Sequence, residues 1–136
     1  MDQDAAVRRS LLVLRATLGL FLLQWGAEKF VVPMNTPAIW GYFYNTNIPV
    51  QAAYAFGVAE IALAICFFLG ALRTIAYGAG VMLHAVSVAV SWRQLIDPWG
   101  DSANHLFVAG VPVLGAFFVL FLLRHWDRGV FDRGPN

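Results

Sequence analysis

The two residues best suited to chemistry are a carboxylate and an imidazole, Glu60 and His84, each set within a long apolar run. Residues 70–72 form the turn between these runs. At a rise of about 1.5 Å per helical residue, both side chains lie about 17 Å from that turn, near the middle of a bilayer. At equal depth they are candidates for a proton-carrying pair beside a quinone, the imidazole binding a quinone oxygen and the carboxylate passing protons. The alternative is a structural hydrogen bond that locks the two helices together.

Small and polar residues accompany both groups. They recur at steps of three and four residues, which places them on one face of each helix. Because consecutive helices are antiparallel neighbours, we expect the two faces to meet each other or a shared cavity. The residues predicted to bind a ligand there are Tyr77, Ser87 and Arg73, together with Lys29 from the first helix. The two faces consist of Arg73, Tyr77, Gly80, His84, Ser87 and Ser91, and of Ala53, Gly57, Glu60 and Ala64.

We predict no metal or haem site. His84 and His105 differ in depth by about 15 Å, which is too far for both to bind one haem iron. The alternative is a mononuclear site that uses His105 and Asp101 with a further carboxylate, since carboxylate and imidazole suit several divalent metals. Cys66 is the only cysteine, so an internal disulfide or a Cys-x-x-Cys pair is excluded, and we predict that it is a small buried residue.

The elements that must position these residues are membrane helices. Of 136 residues, 60% are hydrophobic and 12% are charged, and the mean hydropathy is +0.65, more apolar than is usual for a soluble domain. A spanning helix needs about 20 apolar residues, so apolar runs at about 7–32, 50–69, 73–96 and 103–123 fill nearly the whole chain. The sequence therefore predicts an all-α integral membrane four-helix bundle, a single membrane domain over residues 1–136. The lipid bilayer is its expected partner, and the lack of a basic patch argues against nucleic acid.

The connecting segments suggest how the chain is oriented. Residues 34–49 contain Trp and Tyr but no charge, so we expect them at headgroup depth, with one short helix around 37–44. Pro112 is expected to kink the last helix, and the charged tail from Arg124 onward is expected to be exposed. Basic residues are concentrated at both ends of the chain and in the second turn, which predicts that both termini are cytoplasmic. These residues are Arg8, Arg9, Arg15, Arg73, Arg124, Arg128 and Arg133.

The first helix contains Arg15, Gly19, Gly26 and Lys29 in the spacing Arg-x3-Gly-x6-Gly-x2-Lys. Small residues seven positions apart let another helix approach closely. The spacing resembles the first helix of the DoxX-like family of small four-helix membrane proteins.

Later segments strengthen this resemblance. Residues 58–61 (VAEI) and 70–74 (GALRT) are similar to the acidic second helix and the Gly-x-x-Arg-type turn of the family, so the resemblance covers residues from about 11 to 90. The tail departs from the family pattern, because only Asp127-Arg128-Gly129 and Asp132 correspond loosely to its Ser-Leu-Asp ending. The resemblance implies an association with membrane redox chemistry, since members include a subunit of thiosulfate:quinone oxidoreductase and partners of oxidoreductase complexes.

These arguments lead to two functional expectations. In the first, the chain is a DoxX-like membrane subunit associated with redox chemistry that binds a quinone or a similar lipophilic molecule near Glu60 and His84. It would then be an accessory subunit of a quinone-linked oxidoreductase. In the second, it is a non-catalytic scaffold or assembly subunit of a larger complex. Both place it in a bacterial-type inner membrane, with other membrane subunits or further copies of the chain as partners.

Overall fold

The computed structural model describes residues 2–101 and 104–132, and all regular secondary structure in these residues is helical. The predicted all-α class is therefore confirmed. The helices are α1 (Gln3–Val31), α2 (Asn35–Tyr44), α3 (Val50–Leu69), α4 (Arg73–Val90), α5 (Trp92–Ile96) and α6 (Gly110–Leu122), with a 3₁₀ turn (His105–Ala109) directly before α6.

Two of the helix ends are explained by the residues found there. The helix α3 ends at Leu69 and is capped by Gly70, whose φ of 61° is a left-handed conformation that glycine adopts without strain. The third predicted run is divided into α4 and α5 at Ser91, whose hydroxyl donates to the carbonyl oxygens of Ser87 and Val88. Such side-chain bonds compete with the regular helical pattern. The short helix expected in the first loop is present as α2.

The last helix differs from the prediction at its start. Ala103, where we expected it to begin, lies outside the described residues. The helix α6 begins only at Gly110, so Pro112 lies in its first turn. A proline there removes a donor that has no partner within the helix. Pro112 therefore marks the junction between the 3₁₀ turn and α6 rather than a kink inside a longer helix.

The helices pack mainly in two pairs, α1 with α3 and α4 with α6, and the contact between α3 and α4 is smaller. The pair α1 and α3 is antiparallel, since Gly19 lies against Phe67 near the end of α3 and Gly26 lies against Gly57 nearer its start. The glycines of the first helix thus mark its packing face, as their spacing predicted.

One apolar core joins the four longest helices. Gly80 makes room for its largest side chains, because a Cβ at this position would lie 2.8 Å from the ring of Phe117 and 2.9 Å from that of Phe67. The largest fully buried side chains are Tyr77, Phe67, Phe117, Leu22 and Leu120.

Three helical segments are long and apolar enough to cross a membrane, judged by length and composition: Val50–Leu69, Arg73–Val90 and His105–Leu122. The charged helix α1 is not one of the three. The surfaces of the three segments expose large apolar side chains, which is typical of contact with lipid rather than with water. We therefore describe the chain as a membrane protein. Examples of these side chains are Val58, Ile65, Ile75, Met82 and Leu122.

Candidate functional site

Lys29 and Glu60 form an ion pair between α1 and α3. Lys29 Nζ donates to Glu60 Oε2 at 2.8 Å, and the two side chains are only 10% and 12% exposed. The same ammonium donates to the carbonyl oxygen of Trp25, 3.1 Å away. Opposite charges that compensate each other tolerate burial far better than either charge would alone. The pair therefore fixes α1 against the middle of α3.

Two glycines bring these helices close enough for the pair to form. A Cβ on Gly57 would lie 2.6 Å from Phe30 Cε2 and 3.1 Å from the carbonyl oxygen of Gly26. A Cβ on Gly26 would lie 2.8 Å from Ile61 Cγ1. Either side chain would push the helices apart, because much of what it meets is backbone or closely packed. The sequence thus positions Lys29 by placing Gly26 nearly one turn before it.

His84 is directed towards α6. Its Nε2 lies 3.0 Å from the carbonyl oxygen of Gly110, and because a carbonyl oxygen only accepts, Nε2 carries the proton in this bond. The buried imidazole also contacts two aromatic rings, with centroid distances of 5.4 Å to Phe21 and 5.5 Å to Phe117. His84 therefore links α4 to the start of α6 and to α1.

The hydrogen bond between Glu60 and His84 that equal depth predicted is not present among the described residues. Glu60 is bonded to Lys29, and His84 to the backbone of α6. The reason lies in which helix each side chain meets: Glu60 lies against α1, and His84 lies against α6. We expected the two faces to meet each other or a shared cavity. Glu60 and His84 meet different helices, whereas Tyr77 and Gly80 do contact Phe67 of α3. The catalytic roles assigned to Glu60 and His84 stay predictions.

A second group of charges lies where the C-terminal tail, residues 123–132, folds against the turn between α3 and α4. We call Arg15, Arg73, Tyr77, Asp127 and Asp132 the tail cluster. Asp127 is 2% exposed, and its Oδ2 accepts a hydrogen bond of 2.5 Å from the Tyr77 hydroxyl. Its Oδ1 lies 3.7 Å from Arg15 Nε. Residues from α1, α4 and the tail therefore meet at one buried carboxylate.

Arg73 attaches the outer part of the tail. Its Nη1 donates to the Asp127 carbonyl oxygen, and its guanidinium donates to both carboxylate oxygens of Asp132, at 2.5 and 3.1 Å. The backbone N–H of Gly129 also donates to Asp132, at 2.9 Å. The Arg73 hydrogen bond, followed by the Gly129 bond, holds the pKa of Asp132 below its usual value, because both favour the ionised carboxylate.

Backbone contacts complete this attachment. The N–H of Val130 donates to the carbonyl oxygen of Leu69 at 2.8 Å. Gly70 lies directly beneath the cluster, so close to the Arg15 guanidinium and to Gly129 that a side chain there would collide with both. The glycine of the family-like turn thus has a clear structural role at this end of the molecule.

The prediction that the tail is exposed holds for most of its described residues and is wrong for Asp127. Arg128 and Val130 are exposed, but Asp127 is buried, and Arg133 lies outside the described residues. Sequence reasoning placed Tyr77 and Arg73 among the ligand-binding residues, and the structure brings them together in this cluster. It missed Asp127 and the contact with Arg15. One feature of the sequence could have pointed to Asp127, namely its loose correspondence to the Ser-Leu-Asp ending of the DoxX-like family.

The other predicted site residues join neither group. Ser87 is exposed, and its hydroxyl donates to the Leu83 carbonyl oxygen in its own helix. His105 and Asp101 are exposed, and across residues 2–101 and 104–132 no three His, Cys, Asp or Glu side chains are grouped so that they could hold a metal ion. Cys66, expected to be buried, is half-buried.

Two surface depressions, of about 410 and 250 Å³, lie along the first half of α1. Neither is lined by Glu60 or His84, so they do not provide the pocket expected beside those residues. The larger is lined by Arg9, Ser10, Val13, Leu14 and Thr17, and the smaller by Ala6, Val7, Ser10, Leu11, Leu14, Val119 and Leu123.

Comparison with known protein families gives one match. A family model described as DoxX matches residues 10–92, more than half of the chain. No curated protein and no solved structure matches. The matched segment contains both members of the Lys29–Glu60 pair and three members of the tail cluster, Arg15, Arg73 and Tyr77.

Proposed function

Because the chain belongs to the DoxX family, we propose that it is a non-catalytic membrane subunit, a framework on which a larger membrane complex is assembled. The observation that carries this proposal is that the groups able to do chemistry are engaged with other parts of the same chain. Glu60 is bonded to Lys29, and His84 to the backbone of α6. Each of these contacts joins two helices, which is what a framework requires.

The proposed framework has four membrane helices, with both termini on the cytoplasmic side of a bacterial-type inner membrane. Helix α1 qualifies as the fourth because its Arg15 and Lys29 lie beside carboxylates inside the protein. The tail cluster lies at the end where basic residues are most concentrated, which suits the cytoplasmic face. The uncharged α2 suits the opposite headgroup region, since Trp40 there stacks on Tyr44 and on Phe56 of α3.

The exposed face of α6 supports a role in assembly. Val111, Phe118 and Leu122 are exposed on this helix, and a Cβ on Gly115 would meet no atom within 4 Å. An uncovered glycine on an apolar helix lets another membrane helix approach closely. This face is therefore available to another subunit, a second copy of the chain or lipid.

A quinone site is the second candidate, favoured by the surroundings of His84. Its imidazole is a polar group beside the flat apolar rings of Phe21 and Phe117. To bind a quinone oxygen, His84 would have to exchange its bond to Gly110 for one to the ligand. Glu60 would then act from α3 as the proton carrier.

Purification of the full chain with its native complex in mild detergent distinguishes the two candidates. The variants are Glu60→Gln and His84→Ala, with Ser87→Ala as a control because the Ser87 hydroxyl bonds only within its own helix. We expect the first two variants to lower the amount of assembled complex, while quinone content and turnover per assembled complex stay unchanged. Unaltered assembly with quinone and turnover lost in both variants would overturn the framework and favour the quinone site. A wild-type chain that purifies without any partner subunit would also contradict the framework.

A further inference from the structure

The tail cluster contains a buried cation whose hydrogen bonds are incomplete. Arg15 is 4% exposed, yet its Nε and Nη1 have no hydrogen-bond partner in the described part of the chain. The 3.7 Å from Nε to Asp127 Oδ1 exceeds the length of a good N–H···O bond, and the Tyr77 hydroxyl holds the other oxygen of that carboxylate. A buried guanidinium with unused donors is costly. The Arg15 guanidinium therefore has capacity for a further anion.

The anions that Arg15 and Arg73 now meet are carried by the tail. Asp127 lies beside Arg15, and Asp132 is bound by Arg73. The described tail after Leu122 contains turns rather than a helix, so it can leave the cluster without unfolding a regular element. The tail thus supplies both arginines with carboxylates that are covalently attached to the end of α6.

The outer ion pair is the point at which the tail can open. The side chains of Arg73 and Asp132 are 28% and 34% exposed, so water and salt screen their attraction. A competing anion can approach Arg73 from solvent and replace Asp132 first. Release of Asp132 weakens the hold on the rest of the tail, including Asp127.

We propose that Arg15, Arg73 and the Tyr77 hydroxyl form a binding site for a phosphate-bearing ligand of net negative charge, which Asp127 and Asp132 occupy as internal substitutes. Phosphate oxygens suit guanidinium groups because they accept paired, charge-assisted hydrogen bonds. A phosphate offers more acceptor positions than the single Asp127 oxygen near Arg15. The cluster lies where α3 ends and α4 begins, and in the membrane placement proposed above this turn lies at the depth of anionic lipid headgroups. An anionic phospholipid is thus the nearest source of this phosphate, and free phosphate shares its chemistry.

Native mass spectrometry of the full chain in detergent tests this site. The protein is titrated with phosphatidylglycerol, with phosphatidylcholine or with inorganic phosphate. We expect one phosphatidylglycerol to bind in preference to phosphatidylcholine.

Asp132→Asn, which loosens the tail, should tighten binding by up to about fivefold. Arg73→Gln should weaken binding by about tenfold or more, and Arg73→Lys should retain part of it. Arg124→Gln is the matched control, since Arg124 lies at the same end and donates to Thr74 and to the Phe121 carbonyl oxygen.

Hydrogen exchange of residues 124–132 supplies the second measurement. Bound phosphatidylglycerol should speed exchange at the Val130 amide, which is bonded to Leu69 in the closed tail. If inorganic phosphate alone produces the same effect, the site is supported and free phosphate is its source. Equal binding of the two lipids, equal effects of Arg73→Gln and Arg124→Gln, or a Val130 amide that stays protected with lipid bound would each overturn the proposal.

Discussion

The Tyr77 hydroxyl and the Asp127 carboxylate depend on each other, because both are buried and only 2.5 Å apart. Tyr77→Phe removes the donor and leaves a buried acceptor with one partner fewer, which costs about 1–3 kcal/mol. We expect a lower melting temperature in detergent, measured by thermal unfolding. Tyr54→Phe is the matched control, since Tyr54 is exposed on α3, and it should unfold like the wild type. Equal shifts for both variants would contradict this role of Tyr77.

Counting along each helix predicted which polar residues matter, but not which of them meet. Position along a helix follows from the rise per residue, and Glu60 and His84 do lie well inside their helices. The direction of each side chain depends on which neighbouring helix packs against it. Lys29 reaches Glu60 because of the glycine contact between α1 and α3. The spacing of the glycines predicted a close-packed face on α1, but it did not indicate which residues of another helix would lie against that face.

At the scale of single helices, the α1–α3 contact depends on its glycines. A Cβ on Gly57 would lie 2.6 Å from Phe30 and 3.1 Å from the Gly26 carbonyl oxygen, so Gly57→Ala should separate the helices and cost about 1–3 kcal/mol. Gly115→Ala is the control, because a Cβ there meets open space and alanine favours a helix over glycine by up to about 1 kcal/mol. Thermal unfolding should show Gly57→Ala destabilised and Gly115→Ala unchanged or slightly stabilised. Equal stability of the two variants would be evidence against close packing at Gly57.

The attachment of the tail should depend on pH. The Arg73 hydrogen bond lowers the pKa of Asp132 below its ordinary value of 3.8. A carboxylate with a lowered pKa contributes fully to stability above its ordinary pKa, and this contribution is lost as the pH falls through the lowered value. The difference in melting temperature between wild type and Asp132→Asn should therefore be largest near neutral pH and shrink in acid. A difference that stays constant from neutral to acidic pH would rule out this contribution.

The helices themselves were largely predictable, because their existence follows from apolar length and from breakers such as Gly70. The prediction of 50–69 coincides with α3. The break at Ser91 and the late start of α6 were not predicted, since they depend on side-chain bonds and on a 3₁₀ turn. The sequence did not reveal that the tail folds against the turn between α3 and α4. Its charges predict exposure to water, and nothing in the sequence shows that Asp127 meets Tyr77 and Arg15.

For the whole molecule, the proposed orientation can be tested by labelling cysteines in intact cells. Cys66→Ala provides the background, and Asn45→Cys and Arg128→Cys place one thiol in each of two segments at opposite ends. A membrane-impermeant maleimide should label position 45 from outside the cell and position 128 only after the membrane is opened. The reverse pattern would overturn the proposed placement of both termini.

Composition predicted the membrane class, and the motif from Arg15 to Lys29 predicted the family that the match over residues 10–92 confirms. The pairing of α1 with α3 and of α4 with α6 was not predicted. Both pairs join long helices that follow each other along the chain, as α3 and α4 also do, so chain order alone does not decide which contact is largest. The close approach at the glycines of α1 makes the contact with α3 extensive. Pairing is thus a property of the complete molecule.

The central claim is that the polar groups inside this protein hold its helices together, and a double-mutant cycle on Lys29 and Glu60 tests it most directly. Lys29→Met or Glu60→Gln alone leaves a buried charge without its partner, which costs about 3–5 kcal/mol. Thermal unfolding should show that the double variant loses much less stability than the sum of the two single variants. Additive effects, with quinone bound to the wild-type complex and lost from the Glu60→Gln complex, would contradict the account.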